Sequence, residues 1–282
     1  SDAHANPSLA IDQAGRIWVF AAQRHAFDGK IYRSVKPYDI DAFDEIGPCN
    51  AYPQPWHLPG KGLFLLYTKY TGGRENYFKS SADGKTWTSE KQLTESGHYP
   101  SSFMHDGKIL IALDWHNASS DNRTNLYFIQ SADLGQTWTN IDNKPLTLPL
   151  KFPDNAALVH DYFADKRYVF INDVKVDQDG RPLILYVTSA SGAYGPGEKG
   201  NPRHWTLARH DGNRWHFSKI ADVDHNYDYG NLHVEPDGTL VAVGPTASGP
   251  QPWWCGGEME MWISKDAGQT WQRDRALTAN SP

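Results

Sequence analysis

The sequence predicts an all-β chain built from repeated four-stranded sheets, a β-propeller. Three observations predict it. The 282 residues include 11 Trp, 14 Tyr and 11 Phe beside 24 Gly and 18 Pro, and aromatic excess with many glycines and prolines favours strands joined by tight turns. One turn motif occurs three times: "SSADGKTW" from Ser80 to Trp87, "QSADLGQTW" from Gln130 to Trp138 and "ISKDAGQTW" from Ile263 to Trp271. A period is also visible, since Asn6, Tyr52 and Tyr99 occupy matching positions in "HANPSLAI", "AYPQPWHL" and "HYPSSFMH" and lie 46 and 47 residues apart. That spacing is the size of one four-stranded blade.

Five blades follow in order, at about 1–47, 48–96, 97–150, 151–222 and 223–277 of a single domain. Each contains a polar turn leading into an apolar run: "DQAGRIWVF", "PGKGLFLLY", "HDGKILIAL", "DQDGRPLILY" and "EPDGTLVAV". The segment before each turn is the expected innermost strand. Blades 2, 3 and 5 carry the repeated motif. Its Asp83, Asp133 and Asp266 are expected to accept backbone N–H bonds across the turn. The glycine supplies a positive φ and the tryptophan packs between sheets. These three aspartates therefore read as structural. Blades 1 and 4 carry degenerate versions, "YRSVKPYDIDAF" and "ARHDGNRWHF". No stretch of helical period with good caps stands out.

Composition excludes several function classes. The formal charge of −6 is not the basic footprint of a nucleic-acid binder. No apolar run approaches the roughly 20 residues of a membrane helix. Two cysteines, Cys49 and Cys255, are too few for a disulfide scaffold or a multi-cysteine zinc site. Both are expected to be free, buried thiols. The opening "SDAHANPSLA" has no signal-peptide pattern. Asn117 and Asn122 sit in sequons for N-glycosylation.

The triple motif is similar to the Asp-box of sialidase-like β-propellers. The closing "TANSP" echoes the opening "HANPS", and such propellers have six or seven blades. The expectation is therefore a fragment of a larger ring. The runs "DAHANPSLAIDQAGRIWVFAAQRH", "YPQPWHLPGKGLFLLYTK", "RTNLYF", "PLTLPL", "GRPLILY" and "GPQPWWCGGEMEMW" resemble the BNR-4 group of Asp-box propellers. That group includes polysaccharide lyases acting on uronate polymers, among them ulvan lyases and rhamnose–glucuronate lyases.

The resemblance implies β-elimination, with His4, His25 and Tyr52 as catalytic residues. An arginine expected one strand return after the tyrosine is replaced by Lys69 in "LLYTK", and a lysine supplies a point charge rather than a fork. In this chemistry a uronate carboxylate is neutralised to stabilise the developing enolate, while a base and an acid move protons. His25 and Lys69 fit the first task; His4 and Tyr52 share the second, in either order. Innermost strands line a propeller's funnel, so Asn6, Arg24, Trp56, His116, Arg123, His225 and Tyr227 are candidate substrate contacts. Gln54, His98, Tyr99, Trp115, Asp228, Tyr229, Gln251, Trp253, Trp254 and Glu258 stand near them.

The expected partner is a uronic-acid poly- or oligosaccharide. Neither nucleic acid nor membrane is expected as a partner, the chain reads as a monomer, and the substrate class implies a secreted or periplasmic location. No cofactor is expected; twelve histidines occur without metal-ligand spacing, although some related lyases carry a structural ion. Two alternatives remain open. One is a sialidase-like exo-glycosidase, whose Arg-Ile-Pro is missing here, with Asp114, Asp161, Asp173 and Glu258 as possible carboxylates. The other is a non-catalytic carbohydrate-binding propeller.

Overall fold

Among the described residues, twenty strands, in chain order, make five four-stranded sheets. The structure, a computed structural model, describes residues 6–24, 28–97, 99–117, 122–192, 198–251 and 255–281. The first sheet contains β1 (Ser8–Ile11), β2 (Ile17–Ala21), β3 (Gly29–Ser34) and β4 (Phe43–Cys49). The second contains β5 (Ala51–Leu58), β6 (Gly62–Lys69), β7 (Glu75–Ser81) and β8 (Lys91–Gln92). In the third are β9 (Ser101–His105), β10 (Lys108–His116), β11 (Arg123–Ser131) and β12 (Leu158–His160). The fourth runs through β13 (Tyr168–Val176), β14 (Pro182–Ser189), β15 (His204–His210) and β16 (Trp215–Asp222). The fifth holds β17 (Asn231–Val234), β18 (Leu240–Gly244), β19 (Glu260–Ser264) and β20 (Gln272–Ala276). Every sheet is a simple meander in which each strand neighbours the next. The helical element among the described residues is one 3-10 turn, Glu198–Gly200. Among the described residues, no helix is long and apolar enough to cross a membrane.

The chain divides into two compact units. One comprises residues 1–99, 104–110 and 129–157; the other comprises 100–103, 111–128 and 158–282. In the first unit β1 lies beside β5, and the Ser8 hydroxyl donates to the Pro53 carbonyl at 2.6 Å. In the second, β13 lies beside β17, and the Leu232 backbone N–H donates to Asp173 at 2.9 Å. Innermost strands are thus neighbours within each unit. Second strands read as unbroken apolar runs where both faces are buried: all eight residues of β14 and all but the end residues of β6 are buried, whereas β2 and β18 alternate buried with half-buried residues. One core cluster gathers Trp18, Phe20, Leu63, Leu65 and Tyr67 from the first two sheets. Another gathers Phe170, Leu185, Trp205, Leu207 and Leu232 from the last two. The outermost β20 is exposed along its length and carries Arg273, Asp274 and Arg275, charges that discourage edge pairing.

The repeated turns behave as the sequence predicts. Asp266 accepts the Thr270 backbone N–H at 2.9 Å, the Thr270 hydroxyl at 2.6 Å and the Ser264 hydroxyl at 2.7 Å. These bonds hold its carboxyl down at about 2; the backbone N–H groups of Thr86 and Lys85 do the same for Asp83, also at about 2. Each motif tryptophan packs on the preceding sheet. Trp87 meets Phe20 edge-on at 6.5 Å, Trp138 meets Phe64 and Phe78 at 6.0 and 5.4 Å, and Trp271 donates to the Ser218 hydroxyl at 3.3 Å.

Two expectations need correction. Residues 158–160 form the outer strand of the third sheet, pairing Leu126 with His160, so the boundary expected at 150 lies later. The long polar segment after the second motif hid this return. Cys255 is exposed rather than buried; Cys49 is buried and free, with its thiol pushed up to about 11 by burial.

Candidate active site

Meander connectivity sorts the loops of each sheet onto two ends. The repeated Ser-x-Asp turns join third to fourth strands, at 81–91, 131–158 and 264–272. The other end carries the second-to-third connections and the entry to each innermost strand. Arg24, Tyr52, Lys69, His116, Arg123, His225 and Tyr227 all fall at this other end of their own sheets. Trp56 does not: it pairs with Phe64 near the end of β5 on the side of the repeated turns. Asn6 is exposed just before β1. His4, His25, His98, Trp253 and Trp254 lie outside the described residues.

In the first unit the site forms around Tyr52. Its hydroxyl lies 3.2 Å from that of Tyr99 and accepts from the Tyr70 hydroxyl at 3.3 Å. The Tyr52 and Tyr99 rings meet edge to face, with centroids 4.9 Å apart. Both residues have left-handed backbones, with φ of 55° and 50°. For an aromatic residue that conformation costs on the order of 1–2 kcal/mol and marks a place the surroundings over-determine. Arg74 lies over the Tyr70 ring, 5.9 Å from its centroid. Burial raises the Tyr70 phenol, while Tyr52, Arg74 and Arg24 pull the other way. Burial, reinforced by the bonds to Tyr70 and Tyr99, pushes the Tyr52 phenol well above the ordinary tyrosine value. Tyr52 therefore stays protonated at any physiological pH.

Lys69 is turned to other partners. It pairs with Glu90, which also accepts from the Tyr67 hydroxyl at 2.8 Å, and its ammonium lies 5.0 Å from the Tyr77 ring centroid. Tyr70, one residue on, meets Tyr52 instead, and Arg74 stands over the Tyr70 ring. The signal for them was the turn "YTGGR" between β6 and β7: two glycines shorten a loop that returns a cation beside the strand end.

The second unit gathers another set. Arg123, fully buried at the start of β11, donates to Tyr229 at 3.0 Å and to Tyr227 at 2.6 Å. Its guanidinium also stands 5.0 Å from the Phe170 ring centroid. His116 is buried at the end of β10, with Nε2 3.6 Å from Asp114. Arg123 and Tyr227 are thus brought together as a buried scaffold, with His225 two residues before Tyr227.

His225 belongs to a third arrangement. Its Nδ1 is 2.6 Å from Asp224 and its Nε2 is 2.8 Å from the Gln251 carbonyl. Asp224, His225 and Asp228 place ligand atoms within 4.8 Å of one another, the donor set among the described residues able to hold a metal ion. Burial pushes the Asp228 carboxyl up to about 7, against the bonds it accepts from the Gly256 and His225 backbone. Those bonds tie two loops together. Asp173 and Glu258 are similarly occupied: Asp173 by Lys175 at 2.8 Å and the Leu232 backbone, Glu258 by Thr278 and Ser281.

A family model described as a BNR repeat-containing family member matches residues 1–223. No curated protein matches the chain. Among solved structures, the chain is similar to a polysaccharide lyase described as PL25-ulvan lyase, with a TM-score of 0.76 at 18% identity over 98% of this chain and 70% of that one. It is similar to polysaccharide lyase Uly1, with a TM-score of 0.68 at 13% identity over 99% and 70%. An α-L-arabinanase of Penicillium chrysogenum follows, with a TM-score of 0.53 at 14% identity over 95% and 80%. The shared feature is the sialidase-like β-propeller fold of four-stranded blades. The chain belongs to the BNR repeat-containing family.

Proposed function

We propose that this member of the BNR repeat-containing family is a polysaccharide lyase that cleaves uronate-containing glycans by β-elimination. The observation that carries the reading is the Tyr52 hydroxyl, kept protonated by burial and held between Tyr70 and Tyr99, with Arg74 over the Tyr70 ring. The likeness in fold to an ulvan lyase, one form of which is described as bound to a glucuronate–rhamnose sulfate saccharide, supports the choice of substrate.

The reaction needs three tasks. A cation must draw charge from the uronate carboxylate so that the C5 proton becomes acidic. Arg74 is assigned this task ahead of Lys69, because a guanidinium binds a carboxylate through two parallel bonds whereas an ammonium supplies a point charge. A base must take the C5 proton; His4 is assigned here, with His25 assisting neutralisation. An acid must protonate the leaving C4 oxygen, and Tyr52 donates that proton. The C5–H electron pair becomes the C4=C5 double bond as the C4–O bond breaks. The proton on His4 returns through solvent to the Tyr52 oxygen, which closes the cycle. An acidic polymer of this kind is met outside the cytoplasm, so the protein works as a secreted or periplasmic enzyme.

The test is incubation with uronate polysaccharides while following the ultraviolet absorbance of the unsaturated uronate. A rise supports the reading. Reducing sugar released without that rise assigns a hydrolase instead, and retained binding with neither signal assigns a binding module.

A further inference from the structure

The second unit holds a cavity of about 470 Å³ at the end of its sheets that carries His116 and Arg123. Asn117, Asn122, Thr124, Phe163, Lys166 and Arg167 line it. The segment between β12 and β13 forms one wall and is clamped onto β11. Asn125, buried with φ of 60°, accepts the Phe163 backbone N–H at 2.7 Å and donates to the Tyr127 hydroxyl at 3.1 Å. The Thr124 hydroxyl donates to the Arg167 carbonyl at 2.9 Å. The Arg167 guanidinium donates to the Thr188 hydroxyl at 3.2 Å and the Pro202 carbonyl at 2.7 Å.

This clamp presents two groups outward. Phe163 is 51% exposed, and the Trp115 ring buttresses it from 5.5 Å in an edge-to-face contact. Exposing a large ring costs burial energy, yet this one stands on a rigid support rather than folding inward. Lys166 is exposed on a tight left-handed turn with φ of 55°, its backbone N–H donating to the Phe163 carbonyl at 3.1 Å. Its ammonium enters no ion pair with the described residues. The neighbouring acids are already used: Asp165 by His160 at 2.7 Å and Asp161 by the Ala164 backbone at 3.0 Å. A flat apolar face, two amides and cations on a preorganised wall match a pyranose ring that bears an anionic substituent.

We propose that this cavity is a subsite for an acidic sugar residue, with the ring stacked on Phe163 and its carboxylate or sulfate held by Lys166 and Arg167. The choice of a sugar rests on the glycan reading above; the site itself rests on the wall just described. None of these residues is assigned to proton transfer, so the subsite sets which glycan is held rather than how it is cleaved.

Calorimetric titration of the full chain tests it with three hexasaccharides on one β-1,4-glucan backbone: neutral, carboxylated and sulfated. The acidic probes are expected to bind at least tenfold more tightly than the neutral one, with affinity falling as salt rises. Lys166→Asn, which suits a left-handed turn, should lower acidic-probe affinity about tenfold and flatten the salt dependence. Phe163→Ser should lower affinity about tenfold for any probe that binds. Both positions are exposed, and circular dichroism confirms that each variant is folded. The carboxylated and sulfated arms identify the anionic group. Equal affinity for neutral and acidic probes, no binding by the wild type, or wild-type affinity in both variants overturns the proposal. Double-bond formation is not measured, so binding with this dependence but without lyase activity refutes the lyase reading alone. Lyase activity without it refutes the subsite alone.

Discussion

Replacing Tyr52 by Phe removes one oxygen and keeps the ring, its edge-to-face contact with Tyr99 and its left-handed backbone. Two hydroxyl contacts are lost, at 3.2 and 3.3 Å. At a net of about 1 kcal/mol for each bond, the fold should lose about 1–2 kcal/mol. For a chain of this size that lowers Tm by a few degrees, at roughly 2–4 °C per kcal/mol. A domain stable by about 5–15 kcal/mol stays folded after such a loss. Catalysis should respond far more strongly. Loss of a general acid lowers rates by roughly 10²–10⁴, and 10² already corresponds to about 2.7 kcal/mol in the transition state. The assay follows unsaturated uronate formation in the ultraviolet, beside a thermal melt of the same sample. Tyr99→Phe, which removes only a neighbour of the donor, should reduce the rate less. A Tyr52→Phe enzyme working within about threefold of wild type refutes the assignment of Tyr52 as proton donor. A rate loss matched by unfolding in the melt refutes the separation of catalysis from stability.

Three further expectations concern other parts of the chain. Arg74→Ala should lower the lyase rate by about 10²–10³, as removal of a charge-stabilising donor does, whereas Lys69→Ala should act mainly on stability; the reverse order in a rate comparison restores Lys69 to the neutralising role. The Asp266 carboxyl is held at about 2, below the usual 3.8, so its contribution to stability is present above the unfolded value and is lost as pH falls through the folded one. Denaturant melts between those limits should show a shallower acid loss in Asp266→Asn than in wild type, and parallel curves contradict the turn's role. Gly135 has φ of 82°, and a Cβ there would stand 2.4 Å from the Phe78 ring, itself stacked on Phe64 at 5.6 Å. Gly135→Ala should therefore cost about 2–4 kcal/mol from strain and overpacking together, read as a lower denaturation midpoint; a change under about 0.5 kcal/mol contradicts this.

By itself the sequence determined the repeating unit. A Ser-x-Asp and Gly-x-Thr-Trp turn is a local device: the hydroxyls and amides that close it lie within four residues of the aspartate they bond. Alternation of polar turns with runs such as "ILIAL" likewise reports strand order, because burial on both faces leaves no polar position to read. Such short-range chemistry also sorted the loops onto two ends, and so placed Tyr52 and Arg123 with the candidate groups rather than with the repeated turns. Tertiary structure decided what those side chains meet. Lys69 and Arg74 are both cations near the end of one hairpin, and strand alternation with loop curvature turned the first to Glu90 and the second to Tyr70. No pattern in one strand foretells a partner 47 residues away such as Tyr99, nor that Asn125 and Thr124 would pin a distant loop and hold Phe163 outward. Those contacts arise from the packing of sheets, which fixes direction and distance between residues that the chain separates widely.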